Sequence, residues 1–230
     1  MAPRTTEVPP LPFETLYESN RLLVINKPAG LAVHPGPRGG PSVEDWFPLM
    51  TRRKDGPWLA HRLDADTAGC LAIALRKQAL LEAQNCFAAG KATKIYWAIV
   101  RGAPPDTLEI DQPLKKVSSA ASGWHMHAAA DGLPARTSLR VMGSHGGFAW
   151  VELTLHSGRT HQARVHCAEA GFPILGDPVY APPGADTSLH LLSRKLVLPL
   201  PEQTVSAVAP PPPHMMAALR ACGYTPSADL

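Results

Sequence analysis

The stretch HRLDADTAG, residues 61–69, brings together groups that can do acid–base or nucleophilic chemistry. Asp64 and Asp66 lie close together, and Thr67 and Gly69 supply a turn before the apolar run CLAIAL. Such a run predicts a buried strand that leaves the aspartates at its mouth. Loops held by a rigid sheet are where functional sites are commonly built.

The two aspartates allow three interpretations. The first is purely structural, an Asx-type turn capped by Asp64 or Asp66. The second is a metal site, although the glycine and the later glutamate of a calcium loop are missing. The third is an aspartate nucleophile, which needs an apolar wall, exclusion of bulk water and a guanidinium partner that keeps it ionised. The stretch by itself leaves all three open.

A second stretch, LHSGRTHQARVH at 155–166, supplies candidates for that guanidinium. Gly158 predicts a turn, and the residues after it predict a helix whose first turns carry Arg159, His161 and Arg164. Helix amides together with arginines favour a phosphate or a carboxylate. Arg164 offers a planar, bidentate pairing that lysine would not reproduce. The structural alternative is a solvated, basic helix start.

Metal chemistry finds little support in the sequence. His161 and His166 are not spaced i, i+4, and the histidines of WHMH at 124–127 have no third ligand nearby. The four cysteines are far apart and form no CxxC pair, so we expect packed, reduced thiols. We therefore predict no metal site.

The elements that must position these groups are predicted from apolar periodicity. Predicted strands cover the sequences RLLVIN, LAV, CLAIAL, TKIYWAIVRG, RTSLRVM, FAWVELTLH and LHLLSRKLVL. Predicted helices lie at 42–50, where Ser42 and Asp45 suggest a capped start, at RKQALLEAQNCFAAG and near 160–170. In the second helix, the apolar face is expected at Leu80, Leu81, Gln84 and Phe87, with Gly90 as its end.

The region 103–135 is rich in Pro, Ser, Ala and Gly, and its stretch KKVSSAASG predicts an exposed, mobile loop. Strands outnumber helices, and regular βαβ alternation is missing. The pattern therefore predicts an α+β fold with a central mixed, largely antiparallel sheet and flanking helices.

Composition limits the class of protein. A chain of 230 residues with 45% hydrophobic residues buries a sizeable core, and a net charge of +3 permits RNA binding without requiring it. The N-terminus lacks the apolar run of a signal peptide, and no stretch of about 18 apolar residues occurs. We therefore expect a cytoplasmic protein without a membrane partner.

The motifs occur in an order that is typical of a known family. They are NKPAGLAVHPG, HRLDADTAG, KIYWAIVRG, GLPARTSLRVM, LHSGRTHQARVHCAEAGFPILGDPVY and LHLLSRKLVLPLP. From about residue 21 to residue 201 the chain resembles the RluA-type pseudouridine synthases, enzymes that isomerise uridine in ribosomal or transfer RNA. The combination of HRLD..T.G with GRTHQ.RVH about ninety residues later is the most specific part of the resemblance.

This resemblance implies a role for each candidate residue. Asp64, after HRL, would be the catalytic aspartate, Tyr96 of K.Y an active-site tyrosine, and Arg164 of HQ.R the partner of the aspartate. Arg62 resembles the side chain that takes the place of the flipped-out base in relatives. The residues expected to contact RNA or substrate are Arg62, His61, Thr67, Arg159 and His161.

The resemblance thus implies the pseudouridine synthase fold with a catalytic cleft, and an isomerase that needs neither cofactor nor metal. Its expected partner is structured RNA, either ribosomal or transfer RNA. Two alternatives stay open. One is a catalytically silent RNA-binding or RNA-folding protein of the same fold. The other is a glycosidase that uses Asp64 with Asp66 or Asp177.

The expected domain organisation follows the extent of the motifs. Residues 1–20 form an N-terminal extension and residues 21–201 the pseudouridine synthase catalytic domain. Residues 202–230 are interpreted as a Pro-rich linker with a short C-terminal helix at HMMAALRAC.

Overall fold

A large sheet dominates the computed structural model, which describes residues 11–36, 39–119, 123–182 and 188–226. The first ten residues of the expected N-terminal extension lie outside the described residues. So does the part of KKVSSAASG between 120 and 122.

The described strands and helices are as follows. The strands are β1 Thr15–Glu18, β2 Leu22–Lys27, β3 Trp58–Leu59, β4 Ala68–Ala74, β5 Thr93–Arg101, β6 Thr107–Asp111, β7 Leu114–Ser119, β8 Gly123–Ala128, β9 Arg136–His145, β10 Phe148–Leu155, β11 Leu191–Pro199 and β12 Thr204–Val208. The α-helices are α1 Phe47–Met50, α2 Lys77–Ala88, α3 Gln162–Glu169 and α4 Pro213–Ala221, and a 3₁₀ turn covers Val43–Trp46.

Ten of these strands form one sheet in the order β1-β2-β4-β11-β5-β10-β9-β6, with β12 paired to β11 and β3 to β4. The β4–β11 pair is parallel, and the other pairs of this sheet are antiparallel. The α+β class and the mixed, largely antiparallel sheet are therefore confirmed. β7 and β8 form a separate two-stranded hairpin.

Both faces of the sheet are covered, which explains the uninterrupted apolar runs. Along β4, Cys70 and Ala72 belong to one core cluster, whereas Leu71 and Ile73 belong to another. Helices α2 and α4 contribute to the first cluster, and α3 and the 3₁₀ turn contribute to the second. A strand buried on both faces has no polar side to alternate with.

The capped helix start expected at Ser42 takes the form of the 3₁₀ turn followed by α1. The backbone N–H of Ser42 donates to the Asp45 carboxylate at 2.9 Å. Val43 is fully buried, and Trp46 and Phe47 pack against the same core cluster, as expected.

The helix α2 and its end near Gly90 are confirmed, but its predicted apolar face is only partly right, because Phe87 packs against the core whereas Gln84 is exposed. Ala79, Ala83 and Cys86 are buried, whereas Leu81 is 51% exposed. The buried positions of this helix are therefore occupied by small side chains. Helix periodicity identifies an apolar face only when the largest residues occupy it.

The loop expected at KKVSSAASG, within the region 103–135, is also wrong for its described residues. Thr107–Asp111 adds an edge strand to the main sheet, and the stretch containing KKVSSAASG contributes to the β7–β8 hairpin. Leu114 and Met126 anchor that hairpin in a small core cluster with Val165 of α3. Cross-strand pairing and these few apolar anchors outweigh a composition that disfavours strands.

Two further differences concern short segments. The expected strand LAV is reduced to a single bridge between Ala32 and Ser42. In the segment 202–230, Thr204–Val208 pairs with β11 before α4, the expected terminal helix, begins. The four cysteines are buried and free, as expected. Among the described residues, no helix combines the length and hydropathy needed to cross a bilayer.

Candidate active site

A cleft with a volume of about 540 Å³ opens where the loop before β4, the start of β5, the end of β10 and the start of α3 meet. The end of α2 forms its remaining wall. The structure brings all of the predicted site residues to this one cleft: His61, Arg62, Asp64, Thr67, Tyr96, Arg159, His161 and Arg164. Cavities of this size accommodate small organic ligands.

Asp64 is placed by a turn that leads into β4. The N–H of Thr67 donates to the Asp64 carbonyl at 3.1 Å, which closes the turn. Gly69 has a φ of +109°, and a Cβ there would lie 2.3 Å from the carbonyl oxygen of Ser193. Only glycine allows β4 to approach β11 so closely at this point. The Asp64 side chain, 19% exposed, therefore lies just before the N-terminal end of β4.

A buried lysine is hydrogen-bonded to the loop that carries Asp64. Lys27 is fully buried, and its Nζ donates to the carbonyls of Pro28 at 2.8 Å, Leu31 at 2.7 Å and Ala65 at 2.8 Å. Burial lowers the pKa of Lys27 to about 8, against the opposing effect of the nearby aspartates. Because Ala65 directly follows Asp64, the lysine fixes the backbone beside the carboxylate. Its role was not predicted, although it belongs to the quoted motif NKPAG.

Arg164 lies beside Asp64, but its principal partner is Asp177. The guanidinium donates to both Asp177 carboxylate oxygens, at 2.7 and 2.8 Å, and its Nη1 lies 3.6 Å from Oδ2 of Asp64. The backbone amides of Val179 and Tyr180 also donate to Asp177, at 2.9 and 3.0 Å. This role of Asp177 was not predicted, and its only signal in the sequence is its place in the motif GDPVY.

Electrostatics keep the Arg164–Asp177 pair charged. Burial lowers the pKa of Arg164, but the hydrogen bonds and charge of Asp177, together with Asp64, raise it above its ordinary value. Burial raises the pKa of Asp177, but Arg164 lowers it below its ordinary value. A fixed guanidinium therefore faces Asp64 near neutral pH.

His161 approaches Asp64 from the start of α3. It occupies the residue before the helix with a φ of +54°, a left-handed conformation that is uncommon for a side chain other than glycine. Its Nδ1 is hydrogen-bonded to the Tyr180 hydroxyl at 2.8 Å, and its Nε2 lies 3.8 Å from Oδ1 of Asp64. Burial lowers the pKa of His161, and the charge of Asp64 opposes this. Tyr180, also in GDPVY, is a second residue whose role was missed.

Tyr96 contributes a protonated phenol to the cleft wall. The residue is 9% exposed. Burial above all raises the pKa of Tyr96, a hydrogen bond with Ser193 lowers it, and the charge of Asp64 raises it further. The phenol is therefore a proton donor or a stacking surface at neutral pH.

The remaining predicted residues divide into wall and rim. The N–H of Ala72 donates to Nε2 of His61 at 3.0 Å, and burial lowers the pKa of His61 to about 4, so its imidazole is a neutral acceptor in the wall. Thr67 is buried, whereas Arg62 and Arg159 are exposed. The cleft thus combines a carboxylate, a paired guanidinium and a phenol behind a cationic rim, an arrangement suited to an anionic, aromatic substrate.

Comparison with known proteins agrees with this chemistry. A protein from Synechocystis named an RNA pseudouridine synthase is 33% identical over 220 residues, which cover 89% of this chain and 67% of that protein. A Zymomonas mobilis protein of the same name is 38% identical over 176 residues, 75% of this chain and 80% of the relative. Ribosomal large subunit pseudouridine synthase D of Yersinia pestis is 33% identical over 196 residues, 80% of this chain and 59% of the relative. The chain thus spans between three fifths and four fifths of these proteins.

A solved structure and a family model give the same result. Human RNA Pseudouridylate Synthase Domain Containing 4 superposes with a TM-score of 0.75 at 27% identity, over 90% of this chain and 92% of that one. Residues 21–169 match the model of the RNA pseudouridylate synthase family. This chain therefore belongs to the RNA pseudouridylate synthase family.

Proposed function

We propose that this protein is an RNA pseudouridine synthase that isomerises one or more uridines in structured ribosomal or transfer RNA, with Asp64 acting on a flipped-out uridine. The observation that carries the proposal is the carboxylate of Asp64 at the mouth of β4, inside a cleft of about 540 Å³, with the Arg164 guanidinium 3.6 Å away. We propose a cytoplasmic location for this activity.

The reaction explains why so few groups are needed. Isomerisation breaks the bond between C1′ and N1 of uridine, rotates the uracil and joins C1′ to C5. The proton on C5 is lost and N1 gains one, so no redox partner, water or cofactor is consumed. The uracil must first leave its stack, which costs a few kcal/mol. Arg62, exposed at the rim of the cleft, then fills the space that the uracil leaves in the RNA stack.

Each side chain of the cleft then has a task. Asp64 acts as a carboxylate, and the guanidinium of Arg164 lies 3.6 Å from it. The carboxylate is able to attack the sugar, attack the ring or remove a sugar proton. Tyr96 stacks on the uracil, and its phenol relays the proton at C5. Arg159 and His161 contact the RNA backbone, and His61 and Thr67 shape the wall behind the base.

We also propose that the catalytic domain spans residues 21–201 and that the following segment supports it. β12 pairs with β11, and Met215 and Leu219 of α4 enter the core cluster under the sheet. The C-terminal segment therefore stabilises the sheet that carries the cleft.

The test compares two aspartates of the same loop. Asp64→Ala is expected to abolish pseudouridine formation in RNA extracted from cells that lack the protein, while affinity for that RNA falls much less. Asp66→Ala is the matched control, since Asp66 is exposed and does not line the cleft. Mapping pseudouridine in total RNA from cells with and without the protein identifies the substrate. Normal turnover by Asp64→Ala would contradict the assignment.

The two alternatives give different results in the same assay. A silent RNA-binding protein binds RNA but forms no pseudouridine even as the wild type. A glycosidase releases free uracil, whereas an isomerase leaves the mass of the RNA unchanged. Asp177 is a poor second carboxylate for a glycosidase, because its side chain is fully buried and holds Arg164.

A further inference from the structure

An exposed tryptophan lies beside the cleft. Trp124 of β8 is 46% exposed, whereas the other four tryptophans of the chain are partly or fully buried. Its ring centroid lies 5.1 Å from that of His161, with an angle of 34° between the ring planes. His161 in turn contacts Asp64, so Trp124 is separated from the carboxylate by one side chain.

The hairpin explains why this indole is left in solvent. Trp124 and Met126 lie on the same face of β8, since side chains alternate along a strand. Met126 packs against Val165 of α3, but Trp124 lies two residues nearer the end of the hairpin, beyond that small core. The tryptophan therefore adds little to the core of the hairpin.

A cation accompanies the exposed ring. Lys116 of β7 pairs opposite Met126, and its Nζ lies 4.7 Å from the Trp124 ring centroid. Lys116 is exposed and forms no ion pair among the described residues. An aromatic ring next to an ammonium group is the combination with which proteins bind single-stranded nucleic acid, because every base has a face that stacks.

We propose that Trp124 and Lys116 form a second nucleotide subsite, in which Trp124 stacks on a base next to the target uridine and Lys116 pairs with the adjoining phosphate. This rests on the proposed function. The target uracil must reach Asp64, and the His161 ring separates Asp64 from Trp124. The indole is therefore placed for a neighbouring nucleotide. The long side chain of Lys116 is free to move from the ring to a phosphate when RNA binds.

The experiment separates stacking from charge. Fluorescence anisotropy measures binding of two labelled probes of equal length, an oligouridine and an abasic oligomer. Trp124→Ala is expected to weaken binding of the oligouridine about tenfold and to leave the abasic oligomer unaffected. Trp124→Phe retains a ring and most of the affinity. Lys116→Ala weakens both probes and reduces the slope of log Kd against log salt concentration by about 0.7. Val208→Ala, an exposed residue on β12, is the matched control.

Other outcomes overturn the subsite. If Trp124→Ala lost equal affinity for both probes, or if Trp124→Phe did not retain the affinity for oligouridine, the indole would act only through the fold. Absence of oligouridine binding by the wild type would also contradict it. Pseudouridine formation is measured separately from binding, so failure of the subsite and failure of the proposed function can be told apart. If the wild type forms pseudouridine but Trp124→Ala binds normally, the subsite fails alone; if the stacking pattern holds without turnover, the activity fails alone.

Discussion

Asp64 and Asp177 share one guanidinium but have opposite environments. Asp177 is fully buried and receives both short hydrogen bonds of Arg164 and two backbone amides. Asp64 is 19% exposed, and Arg164 and His161 approach it only to 3.6 and 3.8 Å. One carboxylate is saturated with donors, whereas the other keeps oxygens available to a substrate.

The difference shows how a reactive carboxylate is kept beside a buried cation without a full ion pair. Asp177 orients Arg164, so Asp64 benefits from its positive charge without bonding to it directly. A carboxylate that accepts several short hydrogen bonds is a poor nucleophile and a poor base, because those bonds must break during reaction. Asp177 thus has a structural role, and Asp64 is left available for the chemistry.

The largest expected difference in stability is between the two asparagine variants. Asp177→Asn leaves the buried Arg164 without its charged partner, and we expect it to lower the free energy of unfolding by about 3 to 5 kcal/mol. Asp64→Asn removes only a partly exposed, longer-range charge, and we expect a change below about 1 kcal/mol. Urea titration of both purified variants measures the difference. Similar losses in the free energy of unfolding for the two variants would contradict the separate roles proposed for Asp177 and Asp64.

A second prediction concerns the lysine under the Asp64 loop. Lys27→Met leaves three buried carbonyls without their donor, and we expect a loss of about 2 kcal/mol in the free energy of unfolding together with reduced turnover. Lys27→Arg, which keeps a charge but does not fit a site made for one ammonium group, serves as the comparison. Wild-type stability in Lys27→Met would show that the loop does not depend on this group.

The same lysine predicts a dependence of stability on pH. Its pKa is about 8 in the folded protein and has an ordinary value of 10.5. Between these values the unfolded chain holds the proton and the folded protein does not, so the contribution of Lys27 to the free energy of unfolding rises with pH. It is constant below that window. Other thiols, phenols and amines titrate in the same window, so the measured quantity is the difference in the free energy of unfolding between the wild type and Lys27→Met. Urea titrations across the window are expected to show this difference increasing with pH.

A smaller loss than that of Lys27→Met is expected for Tyr180→Phe. The variant keeps the ring that lies 5.1 Å from the Arg164 guanidinium but removes the hydroxyl that bonds His161 and the Met126 amide. We expect a loss of about 1 kcal/mol in stability and a modest decrease in turnover. Tyr17→Phe on the edge strand β1 is the control. A loss as large as that of Asp177→Asn would place Tyr180 among the groups that hold Arg164 charged.

Local patterns in the sequence predicted most of the sheet, because strands buried on both faces are long apolar runs. They failed where packing depends on small residues or on distant partners. Ala79 and Ala83 of α2 carry no strong apolar signal, yet they face the sheet. The hairpin of Leu114 and Met126 depends on α3, which follows much later in the chain.

The candidate site shows the same limit. The sequence by itself determined the fold class, the family resemblance and the residues that could line a cleft, because side-chain chemistry and order along the chain are local properties. Only the tertiary structure decided that Arg164 binds Asp177 more closely than Asp64, that Lys27 supports the Asp64 loop and that Trp124 lies next to His161. Those contacts join segments far apart in the chain, and their distances follow from how the sheet, α3 and the hairpin pack together.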